Sequence, residues 1–554
     1  MKKIFNHKLL IMAAAALMMA SCTKELNIPP SNLLSSDGFY QTPAQSEQGI
    51  IGIYGGLRNL SNDEFLYMSE VRSDNAWVTP LTDGLREYAE IATFRAGNDI
   101  ATFNSVWNEW YKVIYSANVA LARIPGCDFG TNDKLKNQYL GEAHFLRGWA
   151  YFELARLFGN IPLIDKEMGP DEVKTVGQSS ATDIINKIVI PDLKAAEENL
   201  PTADQMTDNT GKTIEKSGRA DKIAAEAMLG RVYMTLAGFP FNDNAALDQA
   251  KTQLKAVIDY STSNGNKYWA PDSTEWRKQY LPMDDYYNKY SIFAIQYRTG
   301  GSGNPAIFNF SPALPPIAYT EQRIFGNSIF INKTLMYQFD RVYGTGTSAH
   351  YDARGLGYSV LTGYAAEKNF PAYTQTTDTL HLADGSVVNE FTRTMYYKFM
   401  PSKLKIANLG VSLDAEADMK DYNDWGVNLP IIRLEDVMLM YAEILSKTDP
   451  AGAMAIVNKI RERAGCTSES ATSSAEALAF VKQERQVELM GEGVRWFDEV
   501  RWNEWKSATI DKFNRYHNPD GTDVANVKDG RYLYPIPLSQ MQVKPGLYTQ
   551  NTGY

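Results

Sequence analysis

Two stretches of the sequence concentrate side chains suited to holding a sugar ring. A pyranose offers a C–H face that stacks on aromatic rings and an edge of hydroxyls that pair with carboxylate, amide and guanidinium groups. Residues 72–90, RSDNAWVTPLTDGLREYAE, supply Asp74, Asn75, Trp77, Asp83, Arg86 and Tyr88 in a setting rich in turn formers. Trp77 is the first candidate among them. Residues 267–297, KYWAPDSTEWRKQYLPMDDYYNKYSIFAIQY, add Trp276, Tyr286 and Tyr287 in an expected loop, and Tyr319 follows after Pro315-Pro316. The strand-like end of that stretch, residues 291–297, is expected to bury Phe293 and Tyr297. Each candidate aromatic also has a plainer reading as loop packing, and the sequence leaves that open.

Catalysis finds less support. With 65 Asp and Glu residues, close carboxylate pairs are inevitable. Glu488 and Glu492, four apart on one face of an expected helix, have the residue types of a glycosidase pair and nothing more specific. Together with Glu435, Glu443, Arg495, Asp498 and Arg501 they read as paired charges joining helices. The histidines (His7, His144, His350, His381 and His517) are scattered without an H-E-x-x-H, and His144 reads as a core residue. Gly211-Lys212-Thr213 resembles the end of a phosphate loop, but Met206 stands where the first glycine is needed. The run GTGTSA from Gly344 fits a dinucleotide fingerprint without the strand before it or the helix after it. A binding protein is expected, with no catalytic residue, no cofactor and no metal; a surface glycosidase is the remote alternative.

Charge and chain ends narrow the setting. A formal charge of −10 and the lack of a dense Lys/Arg run argue against a nucleic-acid partner. Lys2, Lys3 and Lys8 precede an apolar run from Leu9 to Ala20 that is too short to span a bilayer, so residues 1–21 read as a signal peptide. Ala20 and Ser21 before Cys22 resemble a bacterial lipobox, in which the cysteine is acylated and becomes the new N-terminus. Each methylene of such an anchor contributes about 0.8 kcal/mol on burial in lipid. Residues 22–34, with Pro29-Pro30, then form a lipidated tether. An ordinary secretory signal with an incidental cysteine is the alternative. Cys127 and Cys466 are expected as free, partly buried thiols.

The elements that must position the candidates are mostly helical. In GEAHFLRGWAYFELARLFGNIPLI, residues 141–164, Ala143, Leu146, Ala150, Leu154 and Leu157 share one side, and Phe145, Trp149 and Phe152 a second. A helix apolar on two sides must lie between neighbours. Gly159 suits its C-terminal turn, and Pro162 prevents it from resuming. Large residues alternating with small ones suggest stacked helix pairs of the tetratricopeptide kind. Further helices are expected at 43–60 (ending near Asn62-Asp63), 103–124, 180–199, 218–238, 244–260, 433–445, 450–464, 474–490 and 495–503. Residues 262–428 read as loop-rich with short strands, and the C-terminal tail as extended.

Taken together, the lipobox at Cys22, VWNEWYKVIYSANVALARIPG (106–126), EAHFLRGWAYFELARLFGNIPLI and GRADKIAAEAMLGRVYMTLAG resemble segments of the SusD/RagB family of outer-membrane nutrient-binding lipoproteins. So do IIRLEDVMLMYAEIL (431–445), VNKIRERAG (457–465), ERQVELMGEGVRWFDEVRW (484–502) and the closing YLYPIPLSQMQVKPGLYTQNTGY, in the family's order. The resemblance implies a mainly α SusD-like fold with tetratricopeptide-like helix pairs as scaffold. It divides the chain into an N-terminal part, 35–265, and a C-terminal part, 266–554 (loop-rich 266–428, helical 429–505, extended 506–554), packed as one unit. It further implies an outer-membrane location facing the exterior, and a SusC-like TonB-dependent transporter as partner. The expected cargo is a glycan, with peptide as the alternative. Family sites draw on a loop in the region of Trp77, but no family residue fixes the identity of any candidate position.

Overall fold

Several of the helices begin where the sequence supplies caps. In the computed structural model, the described residues are 39–78, 86–215, 217–281, 289–306, 329–332, most of 335–361, short strands between 378 and 399, residue 409, 424–516 and 523–554. The N-terminal part is built on the helices α1 (Pro43–Gly56), α2 (Ala101–Arg123), α3 (Asp133–Phe158), α4 (Ile190–Asn199), α5 (Lys222–Ala237) and α6 (Ala246–Ser263), with shorter helical pieces between them. Further along the chain come α7 (Ser273–Lys278), α8 (Leu434–Ser446), α9 (Pro450–Arg463), α10 (Ser474–Glu488), α11 (Arg495–Arg501) and α12 (Trp505–Tyr516), and a short helix, Leu538–Val543, lies in the tail. Thr42 and Gln45 form a capping box on α1. The side chains of Asn132, Asp221, Asp449 and Ser473 accept from the third backbone N–H beyond them at the starts of α3, α5, α9 and α10.

From α2 to α6 each helix packs on the one before it; α6 then meets α8, which carries α9 and α10. Helix α3 is the centre of this stack, flanked by α1, α2 and α4. Gly148 allows a close approach, since a Cβ there would lie 3.1 Å from the Cβ of Asp192 on α4. On its other side Trp149 meets Trp110 of α2 edge to face, centroids 5.0 Å apart. It also meets Phe293 of strand β2 (Ser291–Ile295) at 5.3 Å. Trp149 and Phe293 belong to one connected set of buried apolar residues that runs from Tyr40 through to Ile536. Arg147 and His144 both pair with Asp192, His144 Nδ1 at 2.7 Å.

Helix α3 ends at Gly159, whose φ of 69° favours glycine, and the C-terminal tail completes it. Tyr534 N donates to Leu157 O at 2.7 Å and Asn551 Nδ2 to Phe158 O at 2.8 Å, so two terminal carbonyls gain donors.

Short strand pairs supplement the helices. β2 pairs antiparallel with the strand Leu429–Arg433, and the three-residue strands Ala76–Val78 (β1) and Ile329–Ile331 (β3) pair with each other. Three expectations need correction. The tail from 506 is not wholly extended, because Trp505, Thr509 and Phe513 recur at four-residue spacing and bury one face of α12. The first helical region does not stop at Asn62-Asp63 but continues as a π-helix, Ser61–Val71, whose wider turn escapes a 3.6-residue pattern. Trp276 lies on α7 rather than in a loop. Cys127 and Cys466 are both free and buried. Among the described residues no helix is long and apolar enough to cross a membrane, and no group of His, Cys, Asp or Glu is arranged to hold a metal.

Candidate ligand-binding face

The pleat of β1 sorts its residues between two environments. The register with β3 is Ala76↔Ile331, Trp77↔Phe330 and Val78↔Ile329. Ala76, Val78, Ile329 and Ile331 join a buried cluster with Leu66, Val487 and Met490. Alternation therefore sends Trp77 and Phe330 to the opposite face. There the two rings form an aromatic pair of their own, centroids 4.8 Å apart and planes at 35°. Val78 is the last described residue before 79–85, which carries Asp83, and Ile329 the first after 307–328, which carries Tyr319. Because Val78 and Ile329 are cross-strand partners, the chain enters one candidate segment beside the point where it leaves the other.

The other end of the ribbon is clamped by polar contacts. Asn332 donates from its backbone N to Asn75 O at 2.7 Å and from Nδ2 to Asp74 O at 2.8 Å. The Asp74 carboxylate accepts from Nε and Nη2 of Arg495 at 2.7 Å each, a fork-on-carboxylate pair. Burial pushes the pKa of Asp74 up, but the adjacent Arg495 charge outweighs it and holds the carboxyl below its usual range. Gln486 Nε2 bridges Asp74 Oδ1 and Asn75 Oδ1, at 3.1 and 3.0 Å. Asn75 Nδ2 donates in turn to Glu70 Oε1 at 2.9 Å.

These placements correct the roles expected for several candidates. Asp74 and Asn75 hold the ribbon to α10 and α11 instead of offering polar atoms to a ligand. Tyr88 is buried and stacks on Tyr67, centroids 5.5 Å apart. Trp276 is 2% exposed, and its Nε1 donates to Glu488 Oε1 at 2.8 Å. Trp77 sits in a strand, 8% exposed, with one ring face already taken by Phe330. Arg86 opens the short helix Arg86–Ala92, its side chain outside the described residues. Asp83, Tyr286, Tyr287, Tyr319 and Cys22 lie outside them entirely. Phe330, Asn332 and Gln486 were missed; the apolar run around Phe330 had the composition of a strand, but its partner was 250 residues away.

The C-terminal charges form a buried lattice. Glu488 accepts from Trp276, Arg433, Arg463 and Arg354. Burial would raise its pKa, but Arg463, Arg433, Arg354 and Lys398 together force it well below the carboxylate range. Glu492 accepts from Arg433 at 2.8 and 2.9 Å and from Lys398. It also lies past the end of α10, so the two carboxylates do not share a helical face. Acceptors saturated by cations in this way join helices, and Glu488, held ionised, has no proton to give to a substrate.

Comparison with known proteins agrees with this architecture. The model of the SusD family matches residues 245–554, and a second, described as starch-binding associating with outer membrane, matches 32–234. A SusD-like protein of Formosa agariphila is 24% identical over 518 residues, 91% of this chain and 92% of that one. A SusD-like protein of Bacteroides ovatus is 21% identical, covering 96% of this chain and 88% of the other. Among solved structures, a SusD homolog from Bacteroides thetaiotaomicron superposes with a TM-score of 0.70 at 20% identity, over 93% of this chain and 98% of its own. A laminarin binding SusD-like protein gives 0.66 at 22% identity, over 93% and 100%. Family models spanning the chain, with one alone covering more than half of it, and the shared mainly helical fold lead to one conclusion: the chain belongs to the SusD family.

Proposed function

We propose that this chain is a lipid-anchored glycan-binding protein of the outer membrane, which captures oligosaccharide outside the cell and passes it to a SusC-like TonB-dependent transporter. The observation that carries the reading is the register of β1 with β3, which pairs Trp77 with Phe330 and sets Val78 opposite Ile329, the described residues that adjoin the candidate stretches 79–85 and 307–328 in sequence. In this reading Trp77 acts as the anchor of the ligand face, and the aromatic and polar side chains of the flanking segments meet the sugar. The laminarin binding relative and one solved with a xylogluco-oligosaccharide support a glycan as the cargo class. The lysines and apolar run before Cys22 support export and acylation. The saturated carboxylates of the C-terminal lattice favour binding over hydrolysis. Mass spectrometry of ligand released from the natively purified protein with its transporter tests the proposal. Oligosaccharide is expected; a population of peptides would overturn the cargo class.

A further inference from the structure

A cavity of about 330 Å³ lies away from the β1–β3 ribbon, where the C-terminal end of α3 meets α11 and the segments around 240 and 532. That volume is at the small end of ligand pockets, which run from roughly 300 to 1,000 Å³, and suits one or two sugar rings. Its walls are aromatic: Phe239, Phe241, Phe497 and Tyr532, with Phe239 and Tyr532 edge to face at 4.9 Å. Phe239, Phe241 and Tyr532 are part-exposed at its mouth, beside the exposed Thr182, while Phe497 is buried.

The floor holds a charge with bonding capacity to spare. The Arg156 side chain is 8% exposed and lies over the Phe497 ring, its guanidinium carbon 3.4 Å from the centroid. Among the described residues its hydrogen bonds and ion pair go to Glu153, through Nε and Nη2, so Nη1 is the nitrogen not engaged by that carboxylate, and the residue lines the cavity. Arg501, which also lines the space, differs: Glu443 and Asp498 occupy all its nitrogens. Arg156 lines the cavity, so an occupant that brings an oxygen acceptor meets a cationic donor there. Aromatic walls favour an occupant with apolar faces.

We infer that this cavity is a second carbohydrate subsite, which takes a terminal pyranose with its C–H faces against Phe239 and Phe241 and a hydroxyl or carboxylate oxygen on Arg156 Nη1. The choice of sugar over another oxygen-edged ring rests on the function proposed above; the site itself shares no residue with the β1–β3 face. Saturation-transfer NMR with glucose, galactose, glucuronate and galacturonate tests it on the mature protein. Two variants at the mouth are informative: Phe241→Ala removes a wall, and Thr182→Trp fills the opening from an exposed position. Ring-proton saturation by at least one of these sugars is expected in wild type and in Trp77→Ala, with a fivefold or greater loss in both mouth variants. Saturation that persists undiminished in both mouth variants would overturn the proposal, as would none in wild type. Saturation retained in wild type while no polysaccharide binds would support the cavity and count against the β1–β3 reading alone.

Discussion

Trp77 packs against Phe330 across the β1–β3 pair, with ring centroids 4.8 Å apart, on the face turned away from the core cluster. One aromatic contact thus ties the N-terminal candidate segment to one far along the chain. Aromatic pairs of this kind contribute about 0.5–1.5 kcal/mol beyond their burial. Phe330→Ala should therefore weaken glycan binding by about two- to tenfold through looser positioning of both segments. Isothermal titration measures this, with far-UV circular dichroism unchanged; undiminished affinity would separate the ribbon from the ligand.

Trp149 carries the fold and not the ligand. It is fully buried against Trp110 and Phe293, and its Nε1 donates to Glu153 at 2.7 Å. Trp149→Ala should cost about 3–5 kcal/mol of stability, the range for truncating a buried aromatic. Urea unfolding gives the number, and the protein still folded should keep its glycan affinity. A near-native melting curve with binding abolished would reverse the assignment.

Glu226 sets a pH dependence. Burial first, with Lys222 partly countering and Glu197 adding, pushes its pKa from 4.5 up to about 7. A carboxyl that holds its proton more tightly when folded costs nothing below the unfolded value and destabilises increasingly as pH rises between 4.5 and about 7. Glu226→Gln should match wild type near pH 4.5 and be more stable by about 1 kcal/mol at pH 8, allowing for solvent screening. Thermal melts across that range decide; a variant less stable at pH 8 would contradict the account.

His350 works with the opposite sign. Its Nδ1 lies 2.8 Å from Ser348 O and its Nε2 2.6 Å from Gly465 O, and only the imidazolium donates to both. These two carbonyls raise its pKa above 6.5. The tie from this loop to the turn after α9 is present below the unfolded pKa and loosens as pH rises through the folded one. Imidazole titration by NMR should show a midpoint above 6.5, with faster amide exchange around Gly465 on the alkaline side. A midpoint at or below the ordinary value would show that the imidazolium is not held.

Much of the scaffold was legible because its signals are local. The two-sided apolar pattern of residues 141–164 and the break at Gly159 each act within a few residues. The π-helix Ser61–Val71 was hidden by its own period, and Glu492 fell off the expected helical face because α10 ends at Glu488. The site was harder. Trp77 was visible as a residue type, but its register opposite Phe330 is a long-range pairing that a single sequence does not encode. The polar candidates misled for a related reason: the cation opposite Asp74 is Arg495, more than four hundred residues away.

Everything proposed for function turns on glycan binding at the face anchored by Trp77. Isothermal titration of wild type, Trp77→Phe and Trp77→Ala against one panel of polysaccharides tests it most directly. At least one polysaccharide should bind wild type, Trp77→Phe should retain most of that affinity, and Trp77→Ala should lose about tenfold or more. Equal affinity in Trp77→Ala, or no binding by wild type to any member of the panel, would contradict it.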